Sequence, residues 1–141
     1  MKKLEAKHII AVLMNAQRSG IEAGESKLKE LQKAGPRWAV KNESDNKIVG
    51  TMLDVCGCTA LHLAGRSKIV WAFKALGNPD RYGDLAINGL SISKNDYQGG
   101  YGLRANLSNR QELSVREEAV KAFCDYCKVH GLECSWSSRI D

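Results

Sequence analysis

Aromatic side chains are scarce in this chain, with two Phe, three Trp and four Tyr among 141 residues. That scarcity works against a surface that grips nucleobases by stacking. Proline occurs twice, and no low-complexity tract or repeat of roughly 20–50 residues is present, which excludes fibrous and solenoid architectures. No apolar run approaches the ~18 residues of a membrane span. The run at 9–14 has Glu5 before it and Asn15, Gln17 and Arg18 after it, which is also unlike a signal peptide. A paired set of cysteines is missing too: there are five, an odd number, whereas a secreted disulfide framework uses an even one. The expectation is a cytosolic chain with free thiols. No P-loop and no G-x-G-x-x-G after a strand occurs, so phosphate-cradling nucleotide motifs are absent.

What is present describes one α+β domain of ordinary composition, 43% apolar and 26% charged. The net charge is +5, and residues 1–50 hold ten Lys/Arg against six Asp/Glu. This basic N-terminal third makes nucleic acid a partner class to weigh, although no dense Lys/Arg run exists.

Residues 3 to about 18 have helical periodicity, Gly20 and Gly24 weaken it, and "ESKLKELQK" resumes it before "AGP" stops it. This predicts two short helices or one with a weakened middle, as an N-terminal helical segment over 1–35. A single α+β domain over 36–141 follows. It opens with a β-hairpin around "NESDN". Then come a strand at "CTALHLA", a helix at "SKIVWAFKALGN" capped by Ser67 and ended by Gly77, and strands at "LAINGLSISK" and "YGLRANL" joined by the "NDYQGG" turn. A helix at "SVREEAVKAFCDYCKVHG" follows, with Ser114 and Glu117 as a capping box and Val115, Ala119, Phe123, Tyr126 and His130 on one side. A last strand alternates Leu132, Cys134 and Trp136. From residue 58 the order β-α-β-β-α-β predicts a ferredoxin-like split β-α-β core.

"TMLDVCGCTALHLAG", at 51–65, gathers Asp54, Cys56, Cys58 and His62. On one strand Cys58 and His62 stand ~13 Å apart, too far for a thiol–imidazole pair. With Cys124, Cys127, His130 and Cys134 there are enough soft ligands for zinc. Cys124 and Cys127, however, fall inside an amphipathic helix rather than on a turn, and free cysteine is commonly a buried apolar residue. The reading is therefore no metal, no cofactor and no catalytic set. "GYG" around Tyr101 matches the glycine-aromatic-glycine of an RNA-recognition motif, but Leu103 and Asn106 stand where further aromatics belong. "WSSRID" could line an anion or nucleotide pocket through a forked guanidinium, or Arg139 could simply pair with Asp141. The candidate partner-binding residues are Tyr101, Arg104, Trp136, Ser138 and Arg139.

The segments "LDVCG", "NDYQGG" leading into a strand, and "REEAVKAFCDYCKVHGLECSWSSRID", with the "AG" step in "SGIEAGES", resemble an uncharacterised family of small proteins encoded by tailed bacteriophages. Two departures stand out: an aromatic usually follows "CG" where this chain has Cys58, and the link between the motif regions is longer. The resemblance implies a phage accessory gene product, and such proteins commonly bind and inhibit host factors. The expected function is thus a non-enzymatic binding protein acting on a host protein, counter-defence included, in the cytoplasm of an infected bacterium. The alternatives are a nucleic-acid-binding module or a nucleotide or small-anion binder.

Overall fold

The structure is a computed structural model that describes residues 3–36, 38–95 and 98–141. Arg37 and the middle of the expected "NDYQGG" turn, Asp96 and Tyr97, lie outside the described residues. The described chain is α+β, with three helices, a two-stranded sheet and a six-stranded sheet, all neighbouring strands antiparallel.

Helix α1, Lys3–Ala34, runs unbroken through Gly20 and Gly24. The reason is tertiary. A Cβ at Gly20 would lie 2.9 Å from the Ala119 carbonyl oxygen of α3 (Leu113–Val129), and one at Gly24 would lie 3.4 Å from the Ala119 Cβ. Each glycine costs about 1 kcal/mol of helix propensity relative to alanine. In return, the two helices pack backbone to backbone. Ala6, Ile9, Ile10, Leu13 and Ala16 of α1 share one buried cluster with the rest of the chain, so the N-terminal segment supplies part of that core.

Strands β1 (Trp38–Lys41) and β2 (Ile48–Met52) form the expected hairpin as a sheet of their own. In the turn, the Asn42 and Asp45 carboxamide and carboxylate oxygens accept from the Ser44 and Lys47 amides. Strand β3, Gly57–Leu63, buries Leu61 and Leu63. Helix α2, Lys68–Leu76, starts where the Ser67 hydroxyl accepts from the Ile69 amide at 3.1 Å, and it buries Ile69, Val70, Ala72 and Phe73.

The expected strand over "LAINGLSISK" is instead a tight hairpin, β5 (Leu85–Ile87) and β6 (Leu90–Lys94), with the short β4 (Asn78–Pro79) beside β5. Asn88 and Gly89 have φ of 51° and 81°, the left-handed pair that a two-residue hairpin turn requires. Strand β7 is Tyr101–Arg104, and β8 runs over Ser135–Ile140, starting later than the alternation from Leu132 suggests. The six-stranded order is β4-β5-β6-β7-β3-β8.

The capping box at α3 does not form. Asp54, sixty residues upstream, accepts from both the Ser114 amide, at 2.8 Å, and the Ser114 hydroxyl. Glu117 accepts from the Ser138 hydroxyl at 2.8 Å. A carboxylate from a distant loop therefore satisfies the helix N-terminus in place of a local one. His130, expected on the buried side, is exposed and stacks on Tyr126 with ring centroids 4.6 Å apart. No described helix is long and apolar enough to cross a membrane.

Candidate functional site

Register decides which side chains meet. Leu61 pairs with Leu103, which pairs with Ile92, and these buried residues face α2 and α3. Side chains alternate along a strand, so the neighbouring positions point the other way. That second face carries Cys58, Ala60 and His62 of β3, Ser91 and Ser93 of β6, Gly102 and Arg104 of β7, and Ser135, Ser137 and Arg139 of β8. Ala60 is exposed although its strand is internal to the sheet, so this face is open.

The five candidate residues divide between the two faces. Tyr101 pairs with Leu63 and packs against the core, with the Lys74 Nζ 5.6 Å from its ring centroid. It cannot serve as a base-stacking platform on the open face. The parity of Tyr101 with Leu103 is the sequence signal that indicates this. Trp136 pairs with Leu61 and also packs inward, and Ser138 is engaged by Glu117 of α3. Arg104 and Arg139 stand on the open face.

Arg139 donates its Nε to the Cys58 sulfur at 3.0 Å, and His62 Nε2 lies 2.8 Å from the Ser137 hydroxyl. Cys58 and His62 therefore each have a cross-strand partner rather than each other. The side-chain contact with Cys58, and then the Asp141 carboxylate, hold the Arg139 guanidinium more firmly charged than usual. The Arg104 side chain makes no hydrogen bond or ion pair among the described residues. No strand position on this face is acidic.

Beside Arg104 a cleft of about 380 Å³ opens between β3 and the segment 105–108, with Arg116 of α3 on its far wall. Sequence reasoning did not single out Arg116, because nothing local marks it. Arg110 forms a two-point contact with Glu112, at 3.0 and 2.5 Å, and holds that carboxyl below the usual range. Arg116 donates its Nε to the Arg110 carbonyl at 2.6 Å.

The cysteines do not form one cluster. Cys56 lies against Gln111, Cys58 against Arg139, and Cys124 and Cys134 against each other with sulfurs 3.6 Å apart. Among the described residues no three His, Cys, Asp or Glu side chains are placed to hold a metal. The contact between the two sulfurs pulls the Cys124 thiol down, and the same contact, then burial, pushes Cys134 up. Burial pushes Cys127 up to about 12. The Cys124–Cys134 pair lines an open cleft with His62 and Lys128. A disulfide needs the sulfurs at about 2.0 Å, a small closure from here. Treatment of the native protein with an azodicarboxamide oxidant should therefore join Cys124 to Cys134 with loss of two hydrogens, while Cys127 stays a thiol. Peptide mapping checks this, and a native product linking any other pair would contradict it.

No protein-family model, curated protein or solved structure matches this chain.

Proposed function

We propose that the chain is a small non-enzymatic binding protein of the phage accessory type it resembles, which docks an acidic surface of a host protein on its open sheet face. One observation carries the reading: Arg104 and Arg139 share a solvent-exposed face whose strand positions include no carboxylate. Charge complementarity of this kind steers encounter and selects partners. The serine, glycine and alanine positions around the arginines keep the face low in relief, which suits a flat protein surface. Counter-defence is the role we assign, in the cytoplasm of the infected host.

The core that presents this face is read as the ferredoxin-like split unit. In support, β3, α2, β6, β7, α3 and β8 follow the β-α-β-β-α-β order in sequence, and β6-β7-β3-β8 are consecutive in the sheet.

The test is capture of a host protein from lysate, repeated with Arg104→Glu and Arg139→Glu combined. Loss of a defined protein from the captured set, with the melting temperature unchanged, is expected. Capture indifferent to both reversals removes the proposal. Capture abolished by nuclease treatment replaces it with the nucleic-acid reading, which also predicts a steep salt dependence.

A further inference from the structure

We infer that the cleft between β3 and the segment 105–108 is a binding site for a small aliphatic organic phosphate. The cleft exists because the sheet is incomplete there. β3 pairs with β8 over Gly57–His62 but with β7 only over Leu61–Leu63. On the β7 side, the backbone of residues 58–60 has no strand partner among the described residues. The chain leaves the ladder after Arg104 because the Ala105 carbonyl accepts from Gln17 Nε2 of α1, at 2.7 Å, and Asn106 turns it with φ of 53°. The result is a concavity of about 380 Å³ with a main-chain edge along one wall. This volume lies within the range of small-molecule clefts, about 300–1,000 Å³.

The lining is part polar and part apolar. Thr59 and Ser108 supply hydroxyls, Arg104 a whole guanidinium, and Arg116 its two Nη groups, since its Nε is held by the Arg110 carbonyl; Leu107 and Val120 supply aliphatic surface. None of the lining residues is acidic. The nearby carboxylate that could neutralise Arg116, Glu112, is already held by Arg110. Two forks and two hydroxyls offer more donors than one carboxylate can accept, whereas a phosphate presents three terminal oxygens. No aromatic ring lines the cleft, so a nucleobase would find nothing to stack on and an aliphatic body suits the apolar lining.

The site shares Arg104 with the protein-docking proposal, but Arg116 belongs to the cleft alone and Arg139 to the open face alone, so the two readings fail separately. The experiment is a titration of the isotopically labelled full chain, at constant ionic strength, with ribose 5-phosphate, inorganic phosphate and acetate, followed by amide chemical shifts. Saturable shifts at Thr59, Ala60 and Ser108 are expected with ribose 5-phosphate, weaker ones with inorganic phosphate, and none with acetate. Arg104→Gln and Arg116→Gln should each weaken binding about tenfold or more, while Arg139→Gln leaves it unchanged. Arg104 has no structural bond to lose, so its variant is the clean one. Absence of saturable shifts with either phosphate, acetate binding equal to that of ribose 5-phosphate, or binding indifferent to Arg104→Gln would overturn the inference.

Discussion

Phe123→Ala should destabilise the fold by about 3–5 kcal/mol, the cost of truncating a buried aromatic residue. Phe123 is fully buried in α3 and belongs to the cluster that joins α1, α2, α3 and the sheet. Its loss opens a cavity that no single neighbour can fill, because its surroundings belong to several elements that would have to move together. Against a total stability of about 5–15 kcal/mol for a domain, this is a large share. The melting temperature should fall by about 10 °C or more. Urea unfolding with an unchanged slope and a lower midpoint is the measurement. A loss under about 1 kcal/mol would mean that the packing around this ring is loose.

Gly57→Ala should cost about 2–3 kcal/mol by overpacking, although it adds one methyl group. The added Cβ would lie 2.5 Å from the Arg139 carbonyl oxygen and 2.6 Å from Leu113 Cδ1. The leucine can rotate away. The carbonyl belongs to β8, whose chain is tied to the same spot by the Asp141 amide donating to the Cys56 carbonyl at 3.1 Å. Gly57 is itself held by its amide, which donates a hydrogen bond to the Gln111 carbonyl at 3.1 Å. Relief therefore requires β3 and β8 to separate, and amide exchange at residues 139–141 should quicken more than exchange in α2. Alanine at the neighbouring Cys58, whose side chain is on the open face, should leave exchange there nearly unchanged. Equal effects at the two positions would count against this account. The "CGC" of residues 56–58 is thus a packing feature: glycine where two chains touch, flanked by thiols with separate partners.

Several elements were legible before the structure. Helix α2 announces itself through Ser67 and the stripe of Ile69, Ala72 and Phe73, and β3 through the alternation of Leu61 and Leu63. The Asn88-Gly89 hairpin was also written in the sequence but masked by its flanks, since apolar residues on both sides read as one continuous strand. The direction of Tyr101 could have been taken from its spacing to Leu103. Other features had no local signal. The expected capping box satisfied every rule of spacing, yet Asp54 reached the Ser114 amide first from a loop sixty residues away.

The sequence by itself determined the helix and strand types, the free cysteines and the basic balance, because these follow from short-range periodicity and composition. Only the tertiary structure decided that Gly20 and Gly24 sit inside one helix, since their value lies in the approach of α3. Likewise, Arg104 and Arg139 share one face while Tyr101, Trp136 and Ser138 turn to the other, because strand register sets parity across the sheet. The Arg104–Arg116 cleft required both: a sequence that places a guanidinium at each position, and a strand that leaves its ladder early to bring them to one opening.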